Sequence, residues 1–235
     1  YDKLKFDYSI KTRRLVLRKQ PNTFDKIFFD STHSETDLCF LGKKHSTNKS
    51  SLNLNGHRSG YTGLYSFLFN HLKKKKCSIA EIGIEKNGST NMWREYFTKA
   101  SINCFEIEEK KIELAKKQKL KNVKYHYIDV SDPQIIRKEF NKVKKKFDII
   151  IDDSTHKFEH QINIIKNVHK FIKAGGYLVV EDIYRFKKNY KESRYFEKLK
   201  HVRKLFSKIV FIETHNANNF TASWKCEKLL LLIKR

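Results

Sequence analysis

Short apolar runs alternating with stretches of helical spacing organise most of this chain. An apolar run from Ser78 to Ile82 ends in Glu81-Ile-Gly83-Ile-Glu-Lys-Asn-Gly88, and helical spacing follows over about Ser89 to Lys99. A second run, Ile102 to Ile107, leads into a helix from Glu108 to Leu120 with Ile112, Ala115 and Leu120 at helical spacing. A third, Val123 to Ile128, stops at Asp129, and Asp132-Pro133 opens the next helix as a cap followed by proline at the first helical position. Phe147 to Ile151 reads as the fourth strand, and the helix behind it is predicted to stop at Gly175-Gly176. Tyr177 to Val180 is the fifth. A helix over Tyr195 to Phe206 and strands over Ile209 to Glu213 and Lys228 to Ile233 complete the pattern.

This alternation specifies an α/β fold: a doubly wound, mostly parallel, seven-stranded Rossmann-like sheet covered on both faces, with one antiparallel strand at the end. Ligands of such sheets lie at the carboxyl ends of the strands. Residues 1–56 read differently, as an N-terminal accessory region. Arg14-Leu-Val-Leu-Arg18 and Ile27-Phe-Phe29 have the length of short strands, and the stretch from His45 to Gly56 is polar and loop-like. From His57 to Leu72 a helix presents Tyr61, Leu64, Phe67, Leu68 and Leu72 on one face, which should pack against the start of the sheet. Residues 57–235 form the main domain in this reading. The accessory region is suited either to cover the site or to mediate assembly, and a homo-oligomer stays open.

With 235 residues, 39% of them hydrophobic and 13% aromatic, the chain has enough apolar material for a full core. No apolar run approaches the roughly 20 residues needed to span a bilayer. The chain opens on Tyr1 with no signal-peptide pattern behind it, which is read as a start inside a longer gene product. Cys39, Cys77, Cys104 and Cys226 show no C-x-x-C spacing, which fits buried thiols in a reducing, cytoplasmic compartment and argues against a cysteine-based zinc site. The formal charge of +24 would ordinarily point to nucleic acid. The lysine runs at 73–76, 116–121 and 144–146, however, each fall between a helical pattern and the next strand, on the edge opposite the ligand crevice. Cations there complement helix carboxyl ends, so nucleic acid is not the favoured partner.

Acids mark the strand ends. Glu81 with Gly83 and Gly88 is a glycine-bearing strand-to-helix turn whose unpaired amides suit an anionic group. Glu106 closes the second run, where a carboxylate can accept both hydroxyls of a ribose, and Asp129 closes the third, within reach of an adenine amino group. Together the three favour an adenosine cofactor, although each alone could be a turn or cap. The fourth run enters Asp152-Asp153-Ser-Thr-His156, and Glu181-Asp182 closes the fifth, so acids and an imidazole gather at neighbouring strand ends.

These residues resemble the class I S-adenosylmethionine-dependent methyltransferases, and within them the metal-dependent sugar O-methyltransferases of the macrocin and mycinamicin type. The resemblance rests on Glu81-Ile-Gly83, Trp93 with Tyr96-Phe97, Glu106-Ile-Glu108, Tyr127-Ile-Asp129, Asp152 to His156, His160 and Gly175 to Asp182. Asn48-Lys49-Ser50 through Gly60-Tyr61-Thr62 and Tyr65 also look like that family's entry motif. Ser154-Thr155 stands where the family usually has Gly-Ser, and Ile183-Tyr-Arg185 where a threonine is expected, departures that touch the acceptor pocket more than the chemistry.

Such an enzyme must remove a hydroxyl proton as the oxygen attacks a sulfonium methyl, and a divalent metal on the substrate eases that step. Asp153, Glu181 and Asp182 can supply the oxygen ligands that suit magnesium, and His156 is the candidate general base. Asp152 is expected to bridge cofactor and structure. The expected cofactors are thus S-adenosyl-L-methionine and Mg2+ or another divalent metal, and the expected partner is a sugar or glycan acceptor. Three alternatives stand beside this reading. Cations interleaved with aromatics over Tyr184 to Phe196 would also suit RNA. His160 with Asp153 and His156 could form the metal triad of an oxygenase or hydrolase. A non-catalytic adenosine-binding subunit would keep Glu81, Gly83 and Glu106 without needing the acid and histidine cluster.

Overall fold

The computed structural model describes residues 23–53, 59–216 and 228–235. The expected strand at Arg14 to Arg18 lies outside them, as does Cys226. In chain order the elements are β1 (Asp25–Asp30), α1 (Asp37–Lys44), α2 (Tyr61–Phe69), β2 (Ser78–Ile82), α3 (Gly88–Tyr96), β3 (Ser101–Glu106), α4 (Glu109–Lys117) and β4 (Val123–Tyr127). They continue as α5 (Pro133–Val143), β5 (Phe147–Asp152), α6 (Phe158–Val168), β6 (Ile172–Val180), α7 (Glu192–Lys198), β7 (Phe206–His215) and β8 (Lys228–Lys234).

All eight strands join one sheet in the order β1-β7-β8-β6-β5-β2-β3-β4. β8 runs antiparallel to both β6 and β7, and every other pairing is parallel. The seven-stranded pattern read from the sequence is therefore present, and β1 adds an eighth strand beside β7. Strand order runs outward in both directions from the β2–β5 pair, so the topological switch point, where such sheets open a crevice, lies between these two strands.

Both faces are covered because the central strands are apolar on both sides. In β5, Ile149 and Ile151 pack with Trp93, Tyr65 and Phe69 under α1 to α3, while Ile150 packs with Phe140, Ile165 and Leu178 under α5 and α6. Asp132 caps α5 as its spacing predicts, accepting from the Gln134 amide at 2.7 Å ahead of Pro133. The helix after β5 ends before Gly175-Gly176. Those glycines instead form an irregularity within β6, where pairing to β5 jumps from Ile172 to Tyr177 and Gly175 takes φ +73°. Among the described residues no helix is long and apolar enough to cross a membrane.

Phe140 carries much of the α5 contact: its ring stacks on Phe105 at 4.5 Å and meets Phe147 edge-on at 5.9 Å, all three being buried. Truncation removes that packing and leaves a cavity. Phe140→Ala is expected to lower the unfolding free energy by about 3–5 kcal/mol in urea titration.

Candidate active site

A cleft of about 1130 Å3 opens along the carboxyl ends of β2 to β5 and is roofed in part by residues 45–48, from the loop after α1. Backbone crossing shapes its floor. Gly83 follows β2 with φ +89°, donates its amide to the Phe105 carbonyl at 2.8 Å, and passes so close to the loop after β5 that a Cβ would sit 2.1 Å from the Asp153 carbonyl oxygen. Only glycine meets both demands. Asn87 then takes a left-handed conformation, φ 65°, and starts α3. A Cβ on Gly88 would lie 2.7 Å from the His45 carbonyl, so this glycine also lets the roofing loop descend onto the helix start.

Glu106 projects into the cleft with its carboxylate fixed by three amides: Ile107 and Glu108 donate to Oε1 at 2.8 and 3.2 Å, and Ile84 to Oε2 at 3.2 Å. Oε2 keeps acceptor capacity toward the cleft. Farther along the wall, Asp129 accepts from the Ser131 amide and hydroxyl on Oδ1, and these bonds hold its carboxyl below the usual range. Glu81 and Asp152 are placed differently, beneath the cleft and outside its wall. Glu81 accepts from Trp93 Nε1 at 3.1 Å and Thr90 Oγ1 at 3.2 Å, and burial raises its carboxyl. Asp152 accepts from the Ser154 hydroxyl at 2.6 Å, and burial pushes it up to about 6 despite that bond. Of the six expected cofactor residues, Gly83, Gly88, Glu106 and Asp129 line the space, while Glu81 and Asp152 brace it.

Asp153, His156 and Asp182 meet at the other end of the same cleft, each with a potential ligand atom within 4.8 Å of the others. His156 Nε2 is 3.7 Å from Asp182 Oδ2 and 4.0 Å from Asp153 Oδ1. Left-handed backbone at His156 and Asp182, φ 56° in each, turns the chain out of strand geometry so that these groups converge. Glu181, the neighbour of Asp182, faces inward and is 1% exposed. Its Oε1 accepts from the Tyr65 hydroxyl at 2.5 Å and its Oε2 from Lys49 Nζ at 2.5 Å. Lys49 also donates to Asp153 Oδ2 at 2.6 Å, and Tyr61 donates to Asp182 Oδ1 at 2.8 Å.

Lys49, Tyr61 and Tyr65 thus belong to the site although composition gave them no chemical role. A lysine among serines and asparagines reads as a solvated loop, yet Lys49 is 1% exposed. Its signal in the sequence was positional: a tyrosine pair at i and i+4, on one helix face, follows it. Burial opposes the ammonium, but Asp153, Glu181 and Glu81 outweigh it and hold the lysine charged. Burial likewise raises Glu181 strongly and Asp182 to a lesser degree, even against Lys49 and His156. Acids crowded this way are relieved by a cation, and Asp153 with Asp182 presents the oxygen pair that a hard divalent ion takes. The donor chemistry therefore fits a divalent metal in front of Asp153, His156 and Asp182, with Glu181 tied back behind it.

The switch-point cleft of this doubly wound sheet thus carries strand-end acids at one end and an acid and histidine cluster at the other. The signature of the methyltransferase domain matches residues 87–225, more than half of the sequence, and the chain belongs to that family. Curated relatives include a tetracenomycin-C rhamnosyl 3'-O-methyltransferase of Streptomyces olivaceus, 27% identical over 163 residues, covering 66% of this chain and 38% of that protein. Demethylmacrocin O-methyltransferase of Streptomyces fradiae is 28% identical over 160 residues, covering 65% of this chain and 38% of its own length. The chain thus spans little more than a third of these relatives. Among solved structures, the mycinamycin-pathway methyltransferase MycE in complex with Mg, SAH and mycinamycin VI superposes with a TM-score of 0.63 at 17% identity, over 85% of this chain and 55% of that one. This likeness establishes the fold.

Removing Lys49 leaves the buried Glu181 carboxylate without its cation and takes a partner from the half-buried Asp153. Lys49→Met is expected to destabilise the chain by about 3–5 kcal/mol in urea, and a second change, Glu181→Gln, to restore part of that loss, as a double-mutant cycle measures.

Proposed function

We propose that this chain transfers a methyl group from S-adenosylmethionine to a sugar hydroxyl, with a divalent cation held at Asp153 and Asp182 and His156 as general base. The observation that carries the reading is that Asp153, His156 and Asp182 face the same cleft as Glu106 and Asp129. The family assignment supplies methyl transfer as the class of chemistry. The curated relatives named as rhamnosyl-tetracenomycin-C O-methyltransferases support a sugar acceptor.

When bound, the cofactor supplies an electrophilic sulfonium methyl and the cation supplies charge that acidifies a coordinated hydroxyl. The remaining work falls to this chain. Glu106, its carboxylate fixed by three backbone amides, accepts the ribose hydroxyls, and Asp129 accepts from the adenine amino group. Glu81 and Asp152 keep the floor rigid, Glu81 by clamping α3 through Trp93 and Asp152 by fixing the loop through Ser154. His156 Nε2 takes the acceptor proton, and the Asp153 and Asp182 carboxylates stabilise the resulting imidazolium. Tyr190 donates to the His156 carbonyl at 2.9 Å and Tyr61 to Asp182, so base and acid are held in register before substrate arrives. Glu181 sits behind Asp182, held by Lys49 and Tyr65. Enzymes of glycan or glycosylated-metabolite assembly use this chemistry, and the reading places the chain among them.

Two measurements test it. S-adenosylhomocysteine is expected to raise the melting temperature, and Mg2+ to raise it further only while Asp153 and Asp182 are intact. With a rhamnosyl glycoside as acceptor, excess chelator should abolish methyl transfer, and His156→Ala should lower kcat by about 10²- to 10⁴-fold with the SAH shift preserved. Activity that survives chelator or the loss of His156 at the wild-type level would sink the mechanism.

A further inference from the structure

A second cavity, of about 360 Å3, adjoins the cleft between the start of α6 and the segment before α7. Lys157 and His160 line both spaces, so the two are neighbours beside His156. Phe158, Asn189, Tyr190 and Arg194 form its other walls, with Glu159 among them. The bond from Tyr190 to the His156 carbonyl ties this wall to the proposed base.

We propose that the cavity is an acceptor subsite for a carboxylate- or phosphate-bearing unit of the glycan, next to the sugar whose hydroxyl faces His156. The inference rests on the sugar-methylation reading above and adds the charge of the acceptor. Its volume falls within the range of small-ligand pockets, about 300–1,000 Å3, enough for a saccharide unit. Its charge is set by local chemistry. The Arg194 guanidinium lies 4.5 Å from the centre of the Phe158 ring and donates to the Asn189 carbonyl at 3.0 Å, which fixes its plane and leaves further N–H donors for an anion. The one carboxylate near it, Glu159, is 4.0 Å away, at the limit of an ion pair. No carboxylate among the described residues pairs with the Lys157 ammonium. Of the cations between residues 184 and 194, Arg194 lines the cavity, whereas Arg185 donates to the Thr214 carbonyl and Lys187 covers the Tyr184 ring.

The same segment is poorly arranged for stacking nucleic-acid bases. Arg194 covers the Phe158 ring, Lys187 sits 3.4 Å from the centre of Tyr184, and Tyr190 meets Tyr184 at 5.0 Å with a 64° tilt. The aromatic faces a base would occupy are thus largely taken, whereas an anionic sugar needs the cations and only ring edges.

The test compares matched acceptors on the whole chain with S-adenosylmethionine and Mg2+: hexosyl- and 6-deoxyhexosyl-glucuronic acid disaccharides against their glucose counterparts. Labelled-methyl incorporation gives kcat/KM for each. The acid member of a pair is expected to be favoured about tenfold, chiefly through KM, with the preference shrinking as salt rises. In Arg194→Gln and Lys157→Gln the acid-to-neutral ratio should move toward one, with an unchanged SAH-induced thermal shift showing that the fold is intact. Equal rates on both members in the wild type, or a preference that persists when Arg194→Gln and Lys157→Gln are combined, overturns the subsite and leaves sugar methylation standing. Methylation of a single-stranded RNA, with neither class of disaccharide methylated, overturns both.

Discussion

The site depends on one buried charge. Lys49 Nζ lies between Asp153 Oδ2 and Glu181 Oε2, at 2.6 and 2.5 Å, in surroundings that exclude solvent from it. A buried ammonium persists only with its partners in place, so Lys49 fixes three things together. It sets the loop after β5 against the end of β6, and it draws residues 45–53 down over the cleft. It also leaves Glu181 occupied, so that Asp182 is the acid of that pair facing the open space. Tyr65 and Tyr61, on one face of α2, complete the arrangement from the other side by donating to Glu181 and Asp182 respectively.

Residues at the strand ends consequently divide between walls and braces. Gly83 shows why the division is sharp: its missing Cβ lets the turn after β2 touch the Asp153 backbone, so the two loops that bound the cleft cannot move independently. Glu106, held by amides from both the β2–α3 and β3–α4 turns, extends that coupling to the far wall. Pre-organisation of this kind is what a site needs if binding energy is to be used for orientation rather than for ordering loops.

Strand-end acids were legible in the sequence because each interrupts an apolar run, and an apolar run that stops at a carboxylate can only be a buried strand reaching the surface or a cleft. Glu106, Asp129 and Asp153 could be placed on that logic alone, and Ile27-Phe-Phe29 was strand-like enough to anticipate β1. Two details were hidden for physical reasons. Which of Glu181 and Asp182 faces the cleft turns on the left-handed backbone at Asp182, a conformation that residue type barely signals. Lys49 stood in the resembling entry motif, but its burial was hidden because it depends on acids 104 and 132 positions away. Gly175-Gly176 misled in a third way, since a glycine pair signals a helix stop and a strand irregularity equally well.

Net charge is a poor guide to what this molecule binds, because its effect is local. At physiological ionic strength a charge is screened over about 8 Å, so lysines preceding β2, β4 and β5, on the edge of the sheet away from the cleft, contribute little field where the cofactor and acceptor would lie. Arg194 is in a different position: it lines a cavity that shares Lys157 and His160 with the cleft, and Tyr190 from the same segment bonds directly to the His156 carbonyl. At the Asp153–His156–Asp182 end of the cleft acids predominate, with Asp153 and Asp182 on its wall and the buried Lys49–Glu181 pair behind them. A ligand arriving past Arg194 and Lys157 therefore meets cations before it meets the acids. Such a sequence orders a composite ligand: anionic groups stay beside the cations, and the acids are left to a cation and an uncharged hydroxyl.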